Sequence, residues 1–119
     1  MTTIQDVVVG PLGDIPDPGC REFSIGDGDW PFNGFVVRKG EQVFAYQNYC
    51  VHLGHPLNWM PDGFLTKDRS NIICASHGAL YEIESGLCVA GPCRGKTLHP
   101  VDVRVENGDI IVRGPTSLR

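Results

Sequence analysis

Short runs of β-branched and aromatic residues recur along this chain, each bounded by turn signals. Residues 35–38, 42–46, 71–74, 80–83, 101–105 and 109–112 have strand composition and strand length. Lys39-Gly40, Ser85-Gly86 and Asn107-Gly108 fall beside them as tight-turn dipeptides. From Val101 to Val105 apolar and polar residues alternate, which in an extended chain buries one face and wets the other. With 15 Gly and 9 Pro in 119 residues little chain is left for helices, so the pattern predicts an all-β small barrel or sandwich. The N-terminal third, including Asp14-Ile15-Pro16-Asp17-Pro18-Gly19, reads as turn-rich and carries no recognisable chemistry.

Length and composition narrow the class. A chain of 119 residues predicts one domain, 1–119, with a single modest core and no room for a second catalytic domain. Hydrophobic content of 41% and charged content of 20% are those of a globular protein in water. The longest apolar stretches, Val7-Val8-Val9 and Ile110-Ile111-Val112, are too short to span a membrane. The opening residues lack the basic segment and apolar run of an export signal, so the expectation is a cytoplasmic protein. A net charge of −4 argues against nucleic acid as a partner and fits a basic docking patch on another protein.

The chemistry lies in two short pairs, Cys50-Val51-His52 and Cys74-Ala75-Ser76-His77, each followed by Gly within two residues. Thiolate and imidazole suit a borderline-soft metal, and two pairs supply four ligands. Zinc and an iron–sulfur cluster both use such a set. A zinc finger places both ligands of a pair on one ion and usually separates them by two or more residues, which Cys74 and His77 satisfy and Cys50 and His52 do not. In an extended loop, residues i and i+2 point the same way but stand roughly 6.5–7 Å apart, which suits reaching two neighbouring irons. Two Cys on one iron and two His on the other is the Rieske form of a [2Fe–2S] centre.

The words Cys50-Val51-His52-Leu53-Gly54-His55-Pro56-Leu57 and Cys74-Ala75-Ser76-His77-Gly78-Ala79-Leu80-Tyr81 resemble the two cluster loops of the Rieske ferredoxin family. Gly91-Pro92-Cys93 is similar to that family's covering loop, and the resemblance runs over roughly residues 35 to 112. It implies an all-β fold of small antiparallel sheets with a cluster-binding subdomain at about 47–95, and one [2Fe–2S] cluster per chain. Carried over, Cys50 and Cys74 bind the inner iron, and His52 and His77 the outer. The implied role is electron carrier and not enzyme, taking single electrons from a flavoprotein reductase to a terminal oxygenase. An accessory Rieske subunit of a larger oxidoreductase, such as a nitrite reductase, is the second reading.

The resemblance also has departures. Higher-potential members join their cluster loops by a disulfide, at positions held here by His55 and Ser76, so that bridge is absent. Where they place Ser and Tyr as hydrogen-bond donors, this chain has Ala79 and Tyr81. One donor fewer implies the low to intermediate part of a Rieske window that runs roughly from −150 to +300 mV. The 21 residues between His52 and Cys74 exceed the usual spacing, and the surplus is assigned to 59–66, either as a partner surface or as packing by Trp59 and Phe64. Cys20 and Cys88 read as small buried hydrophobes, while Cys88 and Cys93 are near enough in sequence for a bridge. His55 and His99 are not expected to be ligands.

Overall fold

The structure, a computed structural model, describes residues 3–26, 31–49, 56–58, 62–75 and 78–116. These residues form nine strands: β1 (Ile4–Pro11), β2 (Gly19–Ile25), β3 (Phe32–Lys39), β4 (Gln42–Gln47), β5 (Ile72–Ile73), β6 (Leu80–Tyr81), β7 (Cys88–Ala90), β8 (Asp102–Glu106) and β9 (Asp109–Pro115). They make three antiparallel sheets of three strands, in the orders β1-β9-β8, β2-β3-β4 and β5-β6-β7. A short 3₁₀ turn, Leu12–Asp14, is the single helical piece among the described residues.

β3 is the organising strand. Its Phe35-Val36-Val37 run is fully buried, and because successive side chains of a strand point to opposite faces, it serves two cores. Phe35 and Val37 enter a core with Tyr46, Leu57, Phe64, Ile72, Tyr81 and Leu98. Val36 enters the other, with Phe23, Ile25, Ala45, Ile110 and Val112. Neighbouring β4 repeats this division with Tyr46 on one side and Ala45 on the other. The β2-β3-β4 sheet is therefore a wall between the β1-β9-β8 sheet and a lobe built on β5-β6-β7.

The two main hairpins follow the turn residues. β3 and β4 pair from Gly34↔Gln47 to Lys39↔Gln42. β8 and β9 join through Asn107 and Gly108, whose φ values of 53° and 84° fit the two positive positions of a type I′ turn. β8 is drier at its start than at its end: Val101 beside it and Val103 are half-buried, but Val105 is 40% exposed.

The N-terminal third holds more structure than its sequence declares. β1 is an edge strand with Ile4 and Val8 exposed, and it takes its order from pairing with β9 at the far end of the chain. In β2 only Gly19, Phe23 and Ile25 are buried, so Arg21, Glu22 and Ser24 mask the alternation. In the lobe, β5 and β6 are shorter than the predicted runs. Cys74 N–H turns to the Ala79 carbonyl at 2.9 Å, and Glu82 N–H to the Leu87 carbonyl at 2.9 Å, so the flanking residues go into turns.

Candidate metal centre

Of the four expected ligands, Cys74 lies among the described residues; Cys50, His52 and His77 lie outside them, as do His55 and Ser76. What the structure displays is the frame around these positions. Cys74 follows β5 directly and is fully buried. Its carbonyl accepts the Gly78 N–H at 2.8 Å.

The segment that contains Cys50 and His52 is closed at its ends by one side chain. Asn48 Oδ1 accepts the Leu57 N–H at 2.7 Å, and Asn48 Nδ2 donates to Asn58 Oδ1 at 2.8 Å. Asn58 Nδ2 in turn donates to Glu22 Oε1 on β2. The two ligand segments are then tied to each other, because Ala75 N–H, next to Cys74, donates to the Leu57 carbonyl at 2.9 Å. The third segment closes on the second. At Gly91, with φ of 98°, an added Cβ would lie 2.8 Å from Ala79 Cα, so only glycine lets the 91–95 loop approach Ala79 so nearly.

The chemistry of this frame fits a cluster with thiolate and imidazole ligands. Leu57 and Ala75 are joined by a backbone hydrogen bond, Gly91 packs on Ala79, and the lobe interior around Cys74 is apolar. No charged side chain is buried among the described residues.

Tyr81 is fully buried, and its hydroxyl lies 3.2 Å from Cys93 Sγ. Cys93 Sγ is 3.1 Å from Cys88 Sγ, which also lies 3.2 Å from the Ala90 carbonyl oxygen. Cys88 and Cys93 stand as two thiols, not a bridge. Burial first, and the neighbouring Cys93 second, push the Cys88 thiol up to about 11.

Cys88 is the buried small hydrophobe expected, whereas Cys20 is half-buried and its thiol donates to the Asp62 carbonyl at 2.9 Å. The 59–66 segment is partly core: Phe64 is fully buried and stacks on Phe35 with centroids 4.1 Å apart. Asp62 pins it to β2 by accepting the Glu22 N–H at 2.7 Å. Trp59 lies outside the described residues. His99 is exposed, its ring 6.2 Å from that of Tyr49, the residue before Cys50. Asn48 was missed by sequence reasoning. Its only signal was a capping-type residue two positions before a ligand, and such side chains habitually bond nearby backbone.

The family model for the Rieske [2Fe-2S] domain matches residues 5–108. This chain belongs to the Rieske [2Fe–2S] domain family. The match starts some thirty residues before the part that the motifs revealed, so β1 and β2 are part of the Rieske domain. The family carries one [2Fe–2S] cluster, and the small antiparallel sheets here are its fold. No curated protein sequence matches the chain.

Solved structures share the fold. The ferredoxin of carbazole 1,9a-dioxygenase from Nocardioides aromaticivorans IC177 is 26% identical, with a TM-score of 0.70 over 91% of this chain and 96% of that one. A complex of reduced oxygenase and oxidized ferredoxin in carbazole 1,9a-dioxygenase matches with a TM-score of 0.72 at 24% identity, over 96% of this chain and 97% of that one. The terminal oxygenase of carbazole 1,9a-dioxygenase from Novosphingobium sp. KA1 shares the fold at 19% identity and a TM-score of 0.68, the match covering 91% of this chain but 29% of that one. No described helix of the Rieske chain is long and apolar enough to cross a membrane.

Proposed function

We propose that this Rieske protein is a one-electron carrier that takes electrons from a flavoprotein reductase to a terminal oxygenase, with Cys50 and Cys74 on the inner iron and His52 and His77 on the outer. The observation that supports the reading is the Ala75–Leu57 hydrogen bond, which ties the residue after Cys74 to the residue that ends the first ligand word, with Gly91 packed on nearby Ala79. Likeness to a dioxygenase ferredoxin over nearly the full length of both chains supports the carrier role.

When bound, the [2Fe–2S] cluster supplies one-electron chemistry at potentials of roughly −150 to +300 mV. The chain's own residues provide the setting. Asn48 holds Leu57, which ends the first ligand word, the Cys74 carbonyl accepts the Gly78 N–H, and Leu57, Phe64 and Tyr81 share the buried apolar cluster with Cys74. With Cys74 fully buried, electron exchange would run through the imidazole ligands, and a partner would dock on that side.

Iron and acid-labile sulfide analysis tests the centre, with two of each per chain and a rhombic electron paramagnetic resonance signal on reduction as the expected result. Zinc without sulfide would overturn it. Co-purification from the native source tests the pathway. A reductase and an oxygenase are the expected companions, while stoichiometric association with one large oxidoreductase would establish the accessory-subunit reading instead.

A further inference from the structure

Two thiols of the lobe have no place in the ligand set. Cys88 lies in β7 and Cys93 on the covering loop, with exposures of 1% and 2%. The backbone brings them together: Cys88 N–H donates to the Lys96 carbonyl at 2.8 Å, Gly95 N–H to the Cys88 carbonyl at 3.0 Å, and Lys96 N–H to the Cys93 carbonyl at 2.9 Å. The loop thus folds Cys93 back over Cys88 until the sulfurs stand 3.1 Å apart. A disulfide needs about 2.05 Å, so the remaining distance of about 1 Å is within the reach of small side-chain rotations.

We propose that Cys88 and Cys93 are a reversible modification site, closing to a disulfide under hydrogen peroxide and reopening with a dithiol reductant. The order of events follows from exposure. Pro92 and Arg94 on either side of Cys93 are exposed, so a local opening of the loop presents that sulfur first, whereas Cys88 is held in a strand. Burial keeps Cys88 a neutral thiol at rest, which argues against its being the sulfur that meets peroxide first.

The Cys93 thiolate attacks one peroxide oxygen, the O–O bond breaks, and the departing hydroxide takes up the proton released by the thiol to leave as water. Cys93 is then a sulfenic acid. The Cys88 sulfur attacks the Cys93 sulfur, the S–S bond forms and the S–O bond breaks, and the departing hydroxide leaves with the Cys88 proton as a second water. Two thiols have lost two electrons in total, and one peroxide has become two waters. Closure also changes the sulfur that lies 3.2 Å from the Tyr81 hydroxyl, so the change is felt inside the lobe.

The experiment exposes the cluster-loaded wild-type protein to increasing hydrogen peroxide, followed by mass analysis under non-reducing conditions. The expected result is loss of two hydrogen atoms, a cross-link mapped to Cys88 and Cys93, full reversal by dithiothreitol, and retained visible absorbance of the cluster. Cys88→Ser should trap Cys93 as a sulfenic acid captured by dimedone, and Cys93→Ser should show neither capture nor cross-link. Bleaching of the cluster before any cross-link forms would overturn the proposal. So would passage of Cys93 to sulfinic acid with Cys88 untouched, or a thiol count that peroxide does not change.

Discussion

β2 and β3 pair through seven consecutive partners, from Gly19↔Arg38 to Ile25↔Phe32, whereas β5 and β6 pair over two and then give way to turns. The first region is held by its ladders and by alternating side chains that fill two cores. The second gives residues to a turn at Glu82–Gly86 and to the Gly78 N–H bond on the Cys74 carbonyl, and it is held instead by contacts that reach across it: Asn48 to Leu57, Ala75 to Leu57, Gly91 on Ala79 and Phe64 on Phe35. A lobe built of turns cannot also be a long ladder, because backbone committed to strand pairing cannot reverse direction. The lobe therefore exchanges ladder length for cross-links, and the proposed ligation of a cluster by Cys74 and its partners would add to them.

The sharpest way to break the contrast is to remove a thiolate. Cys74→Ser, or Cys50→Ser, should abolish the cluster, because a neutral hydroxyl does not replace thiolate charge on iron. Iron content should fall to background, and hydrogen exchange should quicken in β5–β7 while β2–β4 stay protected. A brown protein with unchanged iron would contradict the ligand assignment.

Phe64→Ala tests the seam between the two regions. Deleting a fully buried ring stacked on Phe35 should cost about 3–5 kcal/mol, read as a lower denaturant midpoint. Gly91→Ala acts inside the lobe alone. A Cβ at 2.8 Å from Ala79 Cα, on a backbone with φ of 98°, should cost about 1–3 kcal/mol and loosen the covering loop, measured by denaturation and by faster exchange of the Lys96 amide.

Asn48→Ala leaves the Leu57 N–H without its side-chain acceptor and should cost about 1–2 kcal/mol, with cluster loss on storage faster than in wild type. The smallest effect concerns Tyr46, whose hydroxyl donates to the Ile83 carbonyl at 2.6 Å and so joins the wall to the lobe. Burial, and then the Glu84 carboxylate, push its pKa from 10.0 to about 12. The folded state holds this proton more tightly than the unfolded one, so the contribution is complete below the unfolded value and falls away as pH rises from 10.0 to about 12. Tyr46→Phe should lose about 1 kcal/mol near neutrality and show a flatter decline across that interval, which urea titrations at the two ends would measure.

Legibility followed the same division. β3, β4, β8 and β9 were readable because each combines β-branched or aromatic residues with a clear turn signal, such as Lys39-Gly40 or Asn107-Gly108. β2 was hidden because Arg21, Glu22 and Ser24 interrupt its apolar positions, and β1 because an edge strand is ordered by a partner about a hundred residues away in sequence. β7, three residues long, has no periodicity to read. Cys88 and Cys93 could be named as near neighbours in sequence, but five residues of separation do not say whether a loop folds back or runs on.

The sequence by itself determined the chemistry and the class. The thiol and imidazole pairs, their spacing and the Gly-Pro word identify a Rieske domain because metal ligation depends on residue type at short range, and strand composition with frequent turns makes the protein all-β. The tertiary structure decided everything that depends on distant residues meeting. It set β3 between two cores, closed the first ligand segment with Asn48, bound Ala75 to Leu57, and brought the Cys88 and Cys93 sulfurs to 3.1 Å. These contacts are long-range or turn-dependent, and their geometry follows from how whole sheets pack, which no local pattern along the chain records.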